Sequence, residues 1–176
     1  MSDKMARDVS GRFSGVTKLL HWTVAALVLL MLYGGFTLSK ETVTTHASIG
    51  IVVLALMIVW LTWNRVGPKR PARATGPRWQ EILSLAVHHT LYAALVLQPL
   101  LGLLLATTSK NNLVVFGLFG LQIQQHDVLH DIGAELHEIN GFLIAGLVTL
   151  HVAAALYHAL ILKDNVLKRM LPFAKA

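Results

Sequence analysis

The sequence predicts an all-α fold, an integral membrane four-helix bundle with both termini cytoplasmic, and three observations predict it. Hydrophobic residues fill 55% of the 176 positions against 14% charged, and the mean hydropathy of +0.60 lies outside the range of an ordinary soluble domain. Four apolar stretches, residues 16–38, 43–64, 82–107 and 136–162, each reach the roughly 20 residues that about 30 Å of hydrocarbon demands of a helix. The third observation is where the cations fall. Four of the fifteen Lys and Arg (Lys4, Arg7, Arg12, Lys18) precede or open the first stretch, five (Arg65, Lys69, Arg70, Arg73, Arg78) fill the second connection, and four (Lys163, Lys168, Arg169, Lys175) follow the last. Only Lys40 and Lys110 remain for the other two loops. By the positive-inside rule both termini and the second connection are cytoplasmic. Glu41, Asp127, Asp131, Glu135 and Glu138 fall on the opposite side. The net charge of +6 and the pI of about 9.9 therefore report topology and give no case for nucleic-acid binding.

Along the chain, the first eleven residues are polar, and Gly11 and Gly15 precede the first helix. A secretory signal is the competing reading of that first stretch. His21 inside it, and no small-residue cleavage pattern after it, favour a retained helix. This helix runs outward to Gly34-Gly35, and the second returns inward from His46. A basic Pro/Gly linker from Val66-Gly67-Pro68 to Gly76-Pro77 cannot continue a helix, and Trp79 then marks the inner membrane boundary. The third helix contains Gln98-Pro99, where a missing backbone hydrogen bond predicts a kink with room for a flat ligand. Residues 109–135 read as the longest outer loop, whose apolar segment 114–121 either lies on the membrane surface or caps the bundle. After the fourth helix, residues 164–171 read as a short basic amphipathic helix on the cytoplasmic interface. No internal repeat, low-complexity tract or second-domain boundary appears, so residues 1–176 read as one membrane domain.

Seven of the nine histidines fall within or at the edges of apolar spans: His21, His46, His88, His89, His137, His151 and His158. Ionisable side chains in a bilayer are costly and usually functional. For a single one, a hydrogen-bonded interhelical histidine is the ordinary reading; seven together outweigh it. His137 and His151 lie fourteen residues apart on one helix, about 21 Å along its axis and turned by only about 40°, so both face the same way. A haem between helices needs an imidazole on each face of the iron, and two haems need four.

His46 and His137 open the second and fourth helices from the outer side and can reach one haem from opposite faces. Each is followed four residues later by a glycine, Gly50 and Gly141, which removes a side chain that would strike the porphyrin. Inner candidates are His21, His88, His89, His151 and His158. His158 lies about 31 Å from His137, whereas His151 keeps its haem within electron-transfer reach of the outer one. The inner haem is therefore assigned to His21 and His151, although residue counting matches their levels only if the first helix tilts or Lys18 snorkels. His158, about 10 Å deeper than His151, is placed for a proton-coupled partner such as a quinone, and His88 faces the same layer; a structural role for each stays open. The absence of cysteine excludes disulfides, thiolate-bound iron–sulfur clusters and covalent haem attachment.

With these residues in place the chain resembles the bacterial cytochrome b561 family over nearly its whole length. The carrying segments are Lys18-Leu-Leu-His21-Trp22, His46-Ala-Ser-Ile-Gly50, Leu136-His137-Glu-Ile-Asn140, and above all His151-Val-Ala-Ala-Ala-Leu-Tyr-His158, continuing through Lys163-Asp-Asn-Val-Leu to Arg169-Met-Leu-Pro172. The resemblance implies a four-helix protein of the bacterial inner membrane with two non-covalent, bis-histidine haem b groups that exchanges electrons with the quinone pool. The tail is similar to that of a superoxide oxidase branch, which takes an electron from superoxide at the outer face and delivers electrons to ubiquinone near the cytoplasm. Carried over, its roles pair His21 with His151, pair His46 with His137, and make His158 a quinone contact. The outer loop departs from that branch, and Lys110 is the cation there that could steer an anionic substrate weakly.

Three functions follow as expectations. The first is an oxidoreductase that oxidises superoxide and reduces ubiquinone. The second is an electron-transfer subunit between the quinone pool and a periplasmic or dehydrogenase partner. The third, of another class, is a histidine-lined metal transporter, against which stands the lack of intramembrane carboxylates.

Overall fold

The computed structural model describes residues 13–68 and 77–171. The cations Lys4, Arg7, Arg12, Lys69, Arg70, Arg73 and Lys175, the first eleven residues, most of the basic linker and Pro172 lie outside the described residues. Four long helices, α1 (Gly15–Phe36), α2 (Val43–Val66), α3 (Arg78–Thr108) and α4 (Asp127–Tyr157), form an antiparallel bundle. Between α3 and α4 stands a two-stranded hairpin, β1 (Val114–Val115) and β2 (Phe119–Gly120). A π-helical segment, His158–Leu162, extends α4, and a short α5 (Val166–Met170) follows. All four long helices are apolar enough to span a membrane. Their outward faces carry Leu19, Tyr33, Ile58 and Phe142, each more than half exposed, which lipid accommodates and water would not.

Local chemistry sets the helix ends. The Ser14 hydroxyl caps α1 by accepting the Thr17 N–H at 3.2 Å. α4 begins nine residues earlier than the hydropathy pattern predicts. His126 Nδ1 accepts the Leu129 N–H at 3.3 Å, and Asp127 adds negative charge in the first turn. Residues 127–135 are therefore helix rather than loop, a correction to the sequence reading, which began the fourth helix where the apolar stretch begins, at residue 136. α3 likewise starts at Arg78, which puts Trp79 inside its first turn, and it continues unbroken through the buried Pro99. The apolar segment 114–121 is the hairpin. Its central residues Phe116 and Gly117 both have positive φ, 54° and 67°, as a type I′ turn requires, and Leu118 N–H closes on Val115 O at 3.0 Å. Val115 is 2% exposed, and the Phe116 N–H donates to Ser48 Oγ on α2 at 2.9 Å, so the hairpin is fastened to the bundle end it caps.

Two interhelical registers position everything that follows. Between α3 and α4, Ala94 lies opposite Asn140, Gln98 opposite His137 and Leu105 opposite His130, each pair hydrogen-bonded. Between α1 and α2, Gly34 lies against His46, Met31 against Gly50 and Thr17 against Trp63, whose indole N–H donates to the Thr17 hydroxyl at 3.0 Å. The core of Val24, Val28, Val53, Met57, Trp60, Ala94 and Ile144 fills the middle of the bundle, with Met57 1% exposed. At the opposite end from the hairpin, Lys18 Nζ donates to Leu171 O at 3.0 Å and Trp22 Nε1 to Met170 O at 2.9 Å, so the C-terminal segment is tied across the start of α1. We call this the basic end and the other the loop end.

Candidate functional site

The α1–α2 register resolves the depth problem left by residue counting. Because Gly34 is level with His46, His21 lies thirteen residues below that level, about 20 Å. His151 lies fourteen residues below His137, about 21 Å. The two histidine levels therefore match on both sides of the bundle without a special tilt. Lys18 does not reach for solvent: it is 9% exposed, and its ammonium caps the Leu171 carbonyl.

At the loop-end level the His46 and His137 rings face each other with centroids 6.3 Å apart. At the basic-end level His21 and His151 stand 6.2 Å apart. Two imidazoles bonded to opposite faces of one metal at about 2 Å have ring centroids about 6 Å apart. Both pairs meet that spacing, and the donor set suits haem b, which needs two neutral imidazole nitrogens and no thiolate. His137 Nδ1–H donates to Gln98 O at 3.1 Å, which leaves Nε2 as the nitrogen free to accept a metal. His46 Nδ1 and His21 Nδ1 are buried with no hydrogen-bond partner among the described residues. Buried polar atoms without a partner are rare in folded proteins and call for a specific explanation, such as a bound group.

Glycines surround the loop-end pair. A Cβ at Gly35 would come within 3.5 Å of the His46 ring, an ordinary contact, and one at Gly102 within 3.3 Å of the His137 ring, tighter than ordinary contact. The sequence reading did not tie these glycines to the histidines. Its own pair faces other partners, Gly50 toward Met31 at 3.6 Å and Gly141 toward Gln98 at 3.5 Å. Also missed was the amide network behind His137. Asn140, 6% exposed, donates to Ala94 O at 3.0 Å and to Gln98 Oε1 at 2.7 Å, while Gln98 Nε2 donates to His137 O at 3.1 Å. Two carboxamides on apolar helices were the available signal.

The basic-end pair has a different surround. Trp22 and Trp60 lie 5.3 and 6.1 Å from the His21 ring, and Trp60 Nε1 is buried without a partner among the described residues. His88 stands 5.0 Å from His151, edge to face, so it belongs to this level. Its Nδ1–H donates to Ser84 O at 2.6 Å, and the Nδ1–H of His89 to Leu85 O at 2.7 Å. About two turns beyond His151, His158 Nδ1 meets Asp164 Oδ2 at 2.6 Å. The sequence reading had His158 but not this carboxylate.

At the loop end Lys110 is not a free cation. It pairs with Asp127 at 3.6 Å in a shallow pocket of about 400 Å³ that Asp131 and His130 also line. Nearby in the α1–α2 turn, the Ser39 hydroxyl holds the Glu41 carboxyl below the usual carboxylate range. This face gives an anion little attraction.

A family model described as prokaryotic cytochrome b561 matches residues 12–173 of the chain. The chain is 30% identical to "Cytochrome b561 homolog 1" of Escherichia coli (strain K12), over 93% of its own length and 99% of that protein. It is 27% identical to "Cytochrome b561 homolog 2" of the same organism, over 91% of each. It is also 27% identical to the "Probable superoxide oxidase CybB" of Yersinia pestis, over 87% of its own length and 92% of that protein.

Proposed function

The chain belongs to the prokaryotic cytochrome b561 family, and on that premise we propose that it holds two haem b groups and carries electrons from superoxide at the loop end to ubiquinone at the basic end. Membership carries haem b binding, electron transport and a multi-pass place in the bacterial inner membrane. The observation that supports the rest is the pair of facing imidazoles at each of two matched levels. His46 and His137 hold one haem and His21 and His151 the other, with Gly34, Gly35 and Gly102 keeping side chains clear of the loop-end pair. When bound, the haems supply one-electron redox chemistry in series across the bilayer. Held by two histidines each, the haems would supply outer-sphere electron transfer rather than O₂ binding.

Two superoxide ions yield two O₂ and two electrons, and ubiquinone takes two electrons and two protons to become ubiquinol. His158 and His88 are the quinone contacts at the basic end. Lys18, Arg65, Arg78, Lys163, Lys168 and Arg169 gather there, which by the positive-inside rule makes that end cytoplasmic. Similarity to a protein named as a probable superoxide oxidase supports superoxide as donor. A second reading, a carrier fed by a protein partner, draws on the loop end itself. Lys110 is already paired there, and the hairpin exposes Phe116, Leu118 and Phe119. The transport reading finds no support: among the described residues no group of three or more histidines and carboxylates is disposed to hold a metal ion.

The test is a pyridine haemochrome count on the purified protein, followed by enzymatically generated superoxide and then ubiquinone-1, with the haem bands recorded throughout. Two b haems per chain that superoxide reduces and ubiquinone-1 reoxidises are expected. Two haems indifferent to superoxide point to the partner-fed carrier, and a chain that binds no haem overturns both readings.

A further inference from the structure

We propose that Asp164 is a positioning residue that makes His158 the donor of one of the two protons ubiquinone takes up; the inference rests on the quinone reading above. In a continuing α-helix, a residue six positions beyond His158 would lie about 240° around the axis and about 9 Å further along, pointing away from it. Asp164 instead meets the ring at 2.6 Å. Two departures from α geometry bring it back. The chain widens into a π-turn from His158 to Leu162, and Lys163 adopts a left-handed conformation, φ 51° and ψ 36°, that residues with a side chain adopt sparingly. The turn closes with Asp164 N–H donating to His158 O at 3.2 Å.

The carboxylate is held on its other side as well. Asp164 Oδ1 accepts the Val166 N–H at 3.1 Å, and its side chain is 6% exposed, against 21% for His158. A cap for α5 alone would leave Oδ2 free to face water. Here Oδ2 accepts the Nδ1–H of His158, which fixes the tautomer and leaves Nε2 as the working nitrogen. A proton on Nε2 then forms an imidazolium beside a carboxylate, an ion pair rather than a lone charge at the membrane boundary. As the quinone receives its two electrons, the Nε2–H bond breaks and an O–H bond forms on the nearer carbonyl oxygen. The imidazole regains a proton from water at the basic end, and the second oxygen is protonated from solvent.

The test uses the haem-loaded full chain and D164N, which keeps shape and removes charge. Expected in D164N are wild-type haem bands, wild-type haem reduction by superoxide, and an equilibrium affinity for ubiquinone-1 within about twofold. Haem reoxidation by ubiquinone-1 should fall at least tenfold, roughly the scale of general acid catalysis or more, with a larger solvent deuterium isotope effect. D164E should recover part of the rate. Independently of turnover, the wild-type protein should show a downfield Nδ1–H proton resonance from His158 that D164N lacks. Wild-type reoxidation in D164N, no recovery in D164E, parallel loss of quinone affinity and rate, or absence of that resonance from the wild type would each overturn the proposal. Wild-type protein that ubiquinone-1 cannot reoxidise would overturn the quinone reading along with it.

Discussion

The two histidine levels have almost the same ring separation, 6.3 Å at the loop end and 6.2 Å at the basic end, yet they are built differently. The loop-end pair is lined by glycines on α1 and α3, and one ring is fixed by a backbone carbonyl and a buried amide network. The basic-end pair is crowded by Trp22, Trp60 and His88. Space and fixed dipoles define the first; polar rings define the second. The loop-end site should therefore respond steeply to side-chain volume, and the basic-end site to loss of ring partners.

The largest test removes ligands. His46→Ala or His137→Ala should each abolish one b haem, and His21→Ala or His151→Ala the other, read as a halved haemochrome count with a different absorption band lost in each set. A variant of the four that retains both haems would break the comparison at its base. Next comes volume. Gly102→Val, whose added carbons meet the His137 ring at 3.3 Å or closer, should weaken loop-end haem binding by roughly 10- to 100-fold in titrations of apo protein and leave the other site unchanged. An equal effect on both sites would show that glycines do not distinguish them.

A third test addresses the amide network. Asn140→Leu should cost about 1 kcal/mol in a reversible unfolding measurement in detergent, in the range found for interhelical polar contacts in membranes, and should move the midpoint potential of the loop-end haem alone. His88→Ala should keep both haems while shifting the spectrum of the basic-end one, since His88 lies beside His151. The smallest effect belongs to Lys110→Ala. With Asp127 already beside the ammonium, superoxide-driven haem reduction should change by less than about twofold and gain little salt dependence.

Hydropathy and charge were enough to read four helices and the ends they share, because both are summed over long windows. Starts set by a single residue were not legible: His126 as a cap adds nine residues to α4, and nothing in an average reports it. Of the four paired histidines, His137 and His151 could be placed by helical arithmetic within α4. Their match across helices required the α1–α2 register, which is fixed by which side chains pack and is not written in residue counts. Asp164 was hidden for a related reason. Six residues is the wrong spacing for any regular helix, and a π-turn with a left-handed residue had to intervene. Lys110 was visible as a cation, but its partner seventeen residues away was not.

α4 carries one member of each histidine pair, whereas α1 and α2 supply one apiece and α3 none. During synthesis, the three spans made first thus present unmatched halves at both levels, and both gaps close with the arrival of the same helix. The segment after it then ties down over Lys18 and Trp22. On the proposed ligand assignment, neither haem would have both its histidines until α4 is in place. A product truncated before α4 would then be expected to stay colourless, which an absorption spectrum of the purified fragment checks.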